Sequence, residues 1–149
     1  MFEGNYVFYL AMVILVGGLA SYFTNIGLKS PKYLSAKKPS WYPPGYAFGI
    51  AWTIIYLLYA YSWTQASYYP SINALFSINM VLNFLWCFFF FYTENWSIAF
   101  GTLLSLCALL VVQMHSFYKY NTLATLLLIP YLLWSLFATF LNFTVININ

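Results

Sequence analysis

The 149-residue sequence contains no aspartate and no arginine, and only two glutamates, one histidine and two cysteines. Each scarcity removes a class of chemistry. Without paired carboxylates or a Ser/His/Asp set, general acid–base and phosphoryl-transfer catalysis by side chains have nothing to be built from. No glycine-rich phosphate loop is present either. His115 has no neighbouring cysteine or carboxylate and reads as structural. Cys87 and Cys107 fall inside apolar runs without ligand or pairing spacing, so neither a metal site nor a disulfide framework is expected. Charged residues make up 5% of the chain against 64% hydrophobic ones. No soluble domain of this length covers its surface with so few charges, so the class is integral membrane protein. The net charge of +3 then reports topology and lipid headgroups, and no nucleic-acid partner is implied. Intramembrane charges of the kind that mark ion-coupled pumps are also missing, because Glu3, Lys29, Lys32, Lys37, Lys38, Glu94 and Lys119 all lie outside the apolar runs.

What is abundant is apolar length. Crossing the hydrocarbon core takes about 20 apolar residues of helix, and five segments meet that: 5–25, 45–66, 72–92, 96–116 and 123–145. The runs are continuously apolar rather than alternating, which argues against a β-barrel. The expected fold is all-α, a single domain over residues 1–149 forming a compact bundle of five transmembrane helices. Only the loop at 26–44 is long. The N-terminus lacks the basic region and cleavage site of a signal peptide, so the first run is expected to be a permanent span. Four of the five lysines fall in the first loop. Positive-inside counting places that loop and the C-terminus in the cytoplasm and the N-terminus outside. The small size and short termini lean towards a bacterial inner membrane, with a mitochondrial outer membrane as the alternative.

The helical periodicity also marks inward faces, because lipid tails have no use for polar stripes. Phe48, Trp52, Tyr56, Tyr59 and Trp63 form an aromatic face on the second span. Asn79, Asn83, Trp86 and Phe90 share a face on the third, and Tyr131, Trp134, Ala138 and Asn142 on the fifth. In the first span Gly18, Ser21 and Asn25 read as a small, polar stripe permitting close helix approach, and Gly45 and Gly49 as a pair serving local packing. Trp52, Trp86 and Trp134 read either as packing or as walls of an aromatic pocket. Asn79 and Asn83 read equally as interhelical glue or as two amides reaching one ligand. Trp41, at a basic and proline-rich helix entry, reads as an interfacial anchor. The fourth span, with Thr102, Ser105 and Gln113, says least.

Three ordered blocks carry a resemblance: KPSWYPPGYAFGIAWTIIYLLYAYS at 38–62, LNFLWCFFFF at 82–91 and IPYLLWSLFATFLNF at 129–143. Together they resemble the translocator protein family, also called tryptophan-rich sensory proteins or peripheral-type benzodiazepine receptors. The resemblance implies a five-helix bundle, a homodimer, and a pocket opening toward the first loop. It implies flat hydrophobic ligands: porphyrin, haem, sterols and synthetic benzodiazepine-type compounds, with the tetrapyrrole a ligand and no resident cofactor. The family's pocket positions fall on Trp41, Pro43, Trp52, Asn79, Asn83, Trp134 and Ala138, and Tyr33 matches a lid tyrosine. Tyr56 and Trp86 join them from the aromatic stripes. The sequence departs from the family where Lys32 replaces an aromatic before the lid tyrosine, and where Cys87 replaces a proline, removing a helix distortion. Thr102 stands for an acidic residue, and Leu126 and Ile129 for a basic and an aromatic one. The last span closes on LNFTVININ, with Phe143 and no following lysine or arginine, so the sterol-recognition pattern is missing.

The reading is a membrane protein that binds tetrapyrroles and similar flat ligands for sensing, trafficking or light-dependent disposal. The alternatives are a transporter of sterol or porphyrin, and a structural partner of another membrane protein. Enzymatic activity is left open. Trp52 and Trp134 are the catalytic candidates only if the porphyrin breakdown reported for some family members occurs, since the indole is the side chain best suited to exchange electrons with an excited porphyrin.

Overall fold

A computed structural model describes residues 3–149, and these are helical throughout, with turns and short loops between. Helix α1 (Tyr6–Gly27) is followed by a short α2 (Pro31–Ser35) inside the first loop, then by α3 (Gly45–Ala66). Helix α4 (Pro70–Cys87) runs into one π-helical turn (Phe88–Tyr92), and α5 (Trp96–Tyr118), α6 (Thr122–Leu126) and α7 (Ile129–Ile148) complete the chain. Among the described residues, four helical stretches are long and apolar enough to cross a membrane: Tyr6–Gly27, Pro70–Tyr92, Trp96–Tyr118 and Thr122–Ile148. Helix α3 has 22 residues, but its tyrosines, tryptophans and hydroxyl side chains keep it less hydropathic than the other four. This is the fit of an integral membrane protein.

Local chemistry explains most boundaries. Asn5, Asn95 and Asn121 each precede a helix, and their side-chain oxygens accept from the backbone N–H of Phe8, Ile98 and Ala124 at 3.1, 3.1 and 2.9 Å. Each such cap is worth about 1 kcal/mol. Pro31, Pro70 and Pro130 open their helices, where a missing N–H costs nothing. Hydroxyls in mid-helix fold back onto the preceding turn, as Thr53 does to the Gly49 carbonyl at 2.7 Å and Thr102 to that of Ile98 at 2.9 Å. That satisfies them where water is absent.

One expectation is refined and one corrected. The last apolar run is a single span, Thr122–Ile148, but its helix is interrupted after Leu126, because Pro130 cannot donate to that residue's carbonyl and its ring would clash there. Replacing the family's proline by Cys87 does not remove the helix distortion. The turn just after Cys87 is π-helical, with Thr93 N–H donating to the Phe88 carbonyl, five residues back, at 3.0 Å.

Helices α4 and α5 pack along each other, α7 packs along α5, and α1 lies against α3, α4 and the π turn. The close approaches of α1 are made by Gly17 and Gly27. A Cβ on Gly17 would stand 2.7 Å from the Tyr56 ring, and one on Gly27 would run into the Phe91 carbonyl oxygen. The stripe expected to mediate contact does not do so. Gly18, Ser21 and Asn25 are exposed, and a Cβ on Gly18, Gly45 or Gly49 meets nothing within 4 Å. Those small residues border open space, off the line where Gly17 meets Tyr56.

Candidate functional site

That open space is a cavity of about 780 Å³. One wall is α1 from Leu10 to Asn25, and the other is α3 from Gly45 to Leu57. Cys87 and Phe91 close its inner side, while Tyr33, Lys38, Tyr42 and Pro43 of the first loop cover one end. Where Gly17 meets Tyr56 the helices are held together. Beyond that point Gly18, Gly45 and Gly49 leave a gap, so the cavity opens sideways between α1 and α3. Trp52 and Tyr56 stack within the cavity wall, ring centres 5.6 Å apart and planes 26° from parallel.

The lid is held by polar contacts. Ser30 caps α2 by accepting from the Tyr33 N–H at 3.0 Å, which sets the Tyr33 side chain inward. The Tyr33 and Tyr42 hydroxyls are hydrogen-bonded at 2.7 Å. Lys38 Nζ donates to the Tyr33 carbonyl at 2.6 Å and lies 4.2 Å from the centre of the Tyr33 ring, a geometry that favours cation–π attraction. Burial pushes both phenols above their ordinary pKa, and for Tyr42 the neighbouring Tyr33 pushes the same way.

Behind the cavity runs a continuous chain of side-chain hydrogen bonds. The Tyr56 hydroxyl donates to Asn83 Oδ1 at 2.8 Å, and Asn83 Nδ2 donates to the Tyr131 hydroxyl at 3.2 Å. Tyr131 donates to Asn79 Oδ1 at 2.6 Å, and Asn79 Nδ2 to Gln113 Oε1 at 2.7 Å. Gln113 Nε2 donates to the Tyr59 hydroxyl at 3.3 Å, which ends the chain by donating to the Phe76 carbonyl at 2.8 Å. Donors and acceptors alternate without conflict, which is the condition for burying such groups cheaply. The chain joins α3, α4, α5 and α7.

Of the ligand-site residues expected from the sequence, Tyr33, Pro43, Trp52 and Tyr56 line the cavity, with Phe48 of the same aromatic face beside them. Asn79 and Asn83 are fully buried in the network, each with its amide oxygen and nitrogen both engaged. Trp86 donates to Asn142 Oδ1 at 3.2 Å, and Asn142 reaches on to the Trp96 carbonyl. Trp134 stands behind Trp52, edge to face at 6.4 Å, and its indole nitrogen has no hydrogen-bond partner among the described residues. Ala138 is buried on α7. Trp41 lies outside the cavity, stacked on Phe140 at 5.3 Å and half exposed, the geometry of an interfacial anchor. Cys87, Phe91 and Lys38 join the lining with no sequence signal for it. Gln113, on the span from which the sequence says least, joins the network because a buried amide in an apolar helix demands a partner, and that demand is the signal.

The chain matches the TspO/MBR family over residues 8–148. It is 32% identical over 142 residues to the tryptophan-rich protein TspO of Archaeoglobus fulgidus, covering 92% of both chains. With the tryptophan-rich protein TspO of Chlorobaculum tepidum the identity is 30% over 153 residues, 94% of this chain and 92% of that one. Similarity extends to the human translocator protein, 29% over 123 residues, covering 76% and 72%. With a match across nearly its whole length and relatives above 30% identity, the chain belongs to the TspO/MBR family of membrane proteins.

Proposed function

We propose that this protein binds tetrapyrroles, and flat hydrophobic molecules like them, in the cavity between α1 and α3. The observation that carries this is the cavity itself, about 780 Å³ with Trp52 and Tyr56 stacked in its wall. That volume lies in the range of sites for small organic ligands, roughly 300–1,000 Å³, and indole and phenol faces favour planar π-systems. Helix α3 then serves as a fifth span, since 22 residues extend about 33 Å at helical rise, enough for a bilayer. The lysine-rich first loop and the C-terminus lie in the cytoplasm and the N-terminus outside, in a bacterial inner membrane, with the protein as a homodimer.

If an excited porphyrin is broken down in this cavity, Trp52 is the electron-exchange partner that touches it. Trp134 stands behind it, edge to face at 6.4 Å. The ligand supplies that chemistry and the protein the position. A second reading, transport of porphyrin or sterol, is favoured by the sideways opening at Gly18 and Gly49, which in a bilayer faces acyl chains.

The test is a dark titration of detergent-purified protein with protoporphyrin IX, followed by tryptophan quenching, beside Trp52→Phe and a Trp52→Phe/Trp134→Phe double variant. Saturable micromolar binding, weakened when Trp52 is replaced, supports the site. Absence of saturable binding to the wild type removes the tetrapyrrole reading, and flux in proteoliposomes then decides for transport.

A further inference from the structure

We propose that a second cavity, on the first-loop side of the bundle, binds the headgroup of an ethanolamine phospholipid from the surrounding bilayer. Its volume is about 450 Å³, and it shares no lining residue with the cavity between α1 and α3. Its walls are Lys32 of α2, the stretch from Thr93 to Ser97 that leads into α5, and Ile146 and Asn149 at the end of α7. Lys32 directly precedes the lid tyrosine but turns away from the first cavity into this one. The spans Trp96–Tyr118 and Thr122–Ile148 begin and end here, so in a bilayer the cavity lies at headgroup depth.

Two lining residues carry unmet demands of opposite character. The Trp96 indole Nε1 is a buried donor and Glu94 Oε2 a buried acceptor, and neither has a hydrogen-bond partner among the described residues. Lys32 holds the two residues together without satisfying them. Its ammonium donates to the Glu94 backbone carbonyl at 2.9 Å and lies 4.8 Å from the centre of the Trp96 ring. Glu94 also sits at φ 54°, the left-handed region that disfavours any side chain. Glycine would be at ease there, and such strain gathers at binding sites. The neighbouring amides are already used: Asn149 pairs with the Lys37 backbone in both directions at 2.8 Å, and Asn95 caps α5. What remains is a cation and an indole N–H that fit a phosphate, beside a carboxylate that fits an ammonium. Phosphoethanolamine carries both groups on a short linker. The methylated ammonium of choline has no N–H to give Glu94, and a glycerol headgroup has no ammonium. An apolar bed continues below. Phe100 follows Trp96 by one turn on α5, Phe143 precedes Ile146 by one turn on α7, and their rings meet at 5.7 Å. Phe143 is half exposed, which leaves room for an acyl chain beneath the headgroup.

The experiment titrates delipidated full-length protein in detergent and counts bound lipid by native mass spectrometry. The probes are dioleoyl phosphatidylethanolamine, the choline and glycerol lipids with the same chains, and chain-free glycerophosphoethanolamine. Wild type is expected to hold the ethanolamine lipid about tenfold more tightly than the choline lipid, the scale of one charge-assisted hydrogen bond. Glu94→Gln should lose that preference, and Lys32→Gln should weaken all three lipids, which share the phosphate. Glu94→Gly separates binding from folding: its φ suits glycine, so it should melt no lower than wild type and still lose the preference. Equal retention of ethanolamine and choline lipids by wild type overturns the proposal. So does a preference that survives both Glu94 variants, or a Lys32→Gln protein that binds as wild type does. If glycerophosphoethanolamine binds as tightly as the lipid, the occupant is a soluble ester and the bilayer source falls. None of these outcomes depends on what occupies the cavity between α1 and α3.

Discussion

The Tyr56 hydroxyl donates to Asn83 Oδ1 at 2.8 Å, so a residue in the cavity wall is also the first link of the buried network. Occupancy of the cavity and cohesion of the bundle meet at this bond. Asn83→Ala leaves the Tyr56 hydroxyl without its acceptor and removes the amide donor of Tyr131, two losses in an apolar interior. We expect about 1–3 kcal/mol of destabilisation. Tyr56→Phe also strands one acceptor on Asn83, but fills the same volume, and is expected to cost about 1 kcal/mol. Unfolding in mixed micelles measures both. An Asn83→Ala protein as stable as wild type would remove the network from the account of stability.

Gly27 and Gly18 should respond oppositely to the same change. In Gly27→Ala the new methyl meets the backbone carbonyl of Phe91, which belongs to the π turn and cannot rotate away. We expect at least about 2 kcal/mol of destabilisation, in the range of overpacking. Gly18→Ala places its methyl in open space and should be neutral or slightly stabilising through helix propensity. Thermal melting of the two variants side by side checks the contrast.

The lid has a defined pH dependence. Burial raises the Tyr33 and Tyr42 phenols above 10.0, so the folded lid favours their neutral forms more than the unfolded chain does. Their contribution is therefore complete below that ordinary value and is lost as the pH rises through the folded values. Ligand dissociation should be flat from neutral pH to about 10 and should accelerate above it. Tyr33→Phe, which removes one hydroxyl of the 2.7 Å pair, should show the faster dissociation already at neutral pH. A wild-type rate that changes near neutrality would contradict the assignment.

Closing the sideways gap should change rates more than stability. A double variant, Gly18→Leu with Gly49→Leu, puts side chains into space that is empty on both helices. Association of a bilayer-dissolved ligand should slow severalfold while the melting temperature stays near wild type. Stopped-flow quenching in liposomes gives the rate. Unchanged association would place entry at the lid instead.

The polar members of the buried network show how far sequence reasoning reaches. Asn79 and Asn83 stand on an inward stripe because an amide is costly in lipid, and that reading needed only helical period and hydropathy. Whether the amides face a ligand or each other depends on where Gln113 of α5 and Tyr131 of α7 arrive, which no local pattern records. The glycines divide in the same way. Gly17 and Gly18 are neighbours of identical chemistry, yet one faces the Tyr56 ring and the other faces open space. One residue of helix rotation separates contact from cavity.

The sequence by itself determined the solvent, the helical class, the inward stripes of α4 and α7 and the family: bilayer insertion depends on apolar length and charge placement, and the signature blocks are contiguous. The tertiary structure decided the break before Pro130 and the π turn after Cys87. It also decided which aromatics wall the cavity and which stand behind it, and it brought Lys38 to the cavity mouth. These depend on how separately formed helices dock, where shifts of one turn move a side chain from lining to core, and such docking is a property of packed pairs rather than of any stretch of chain.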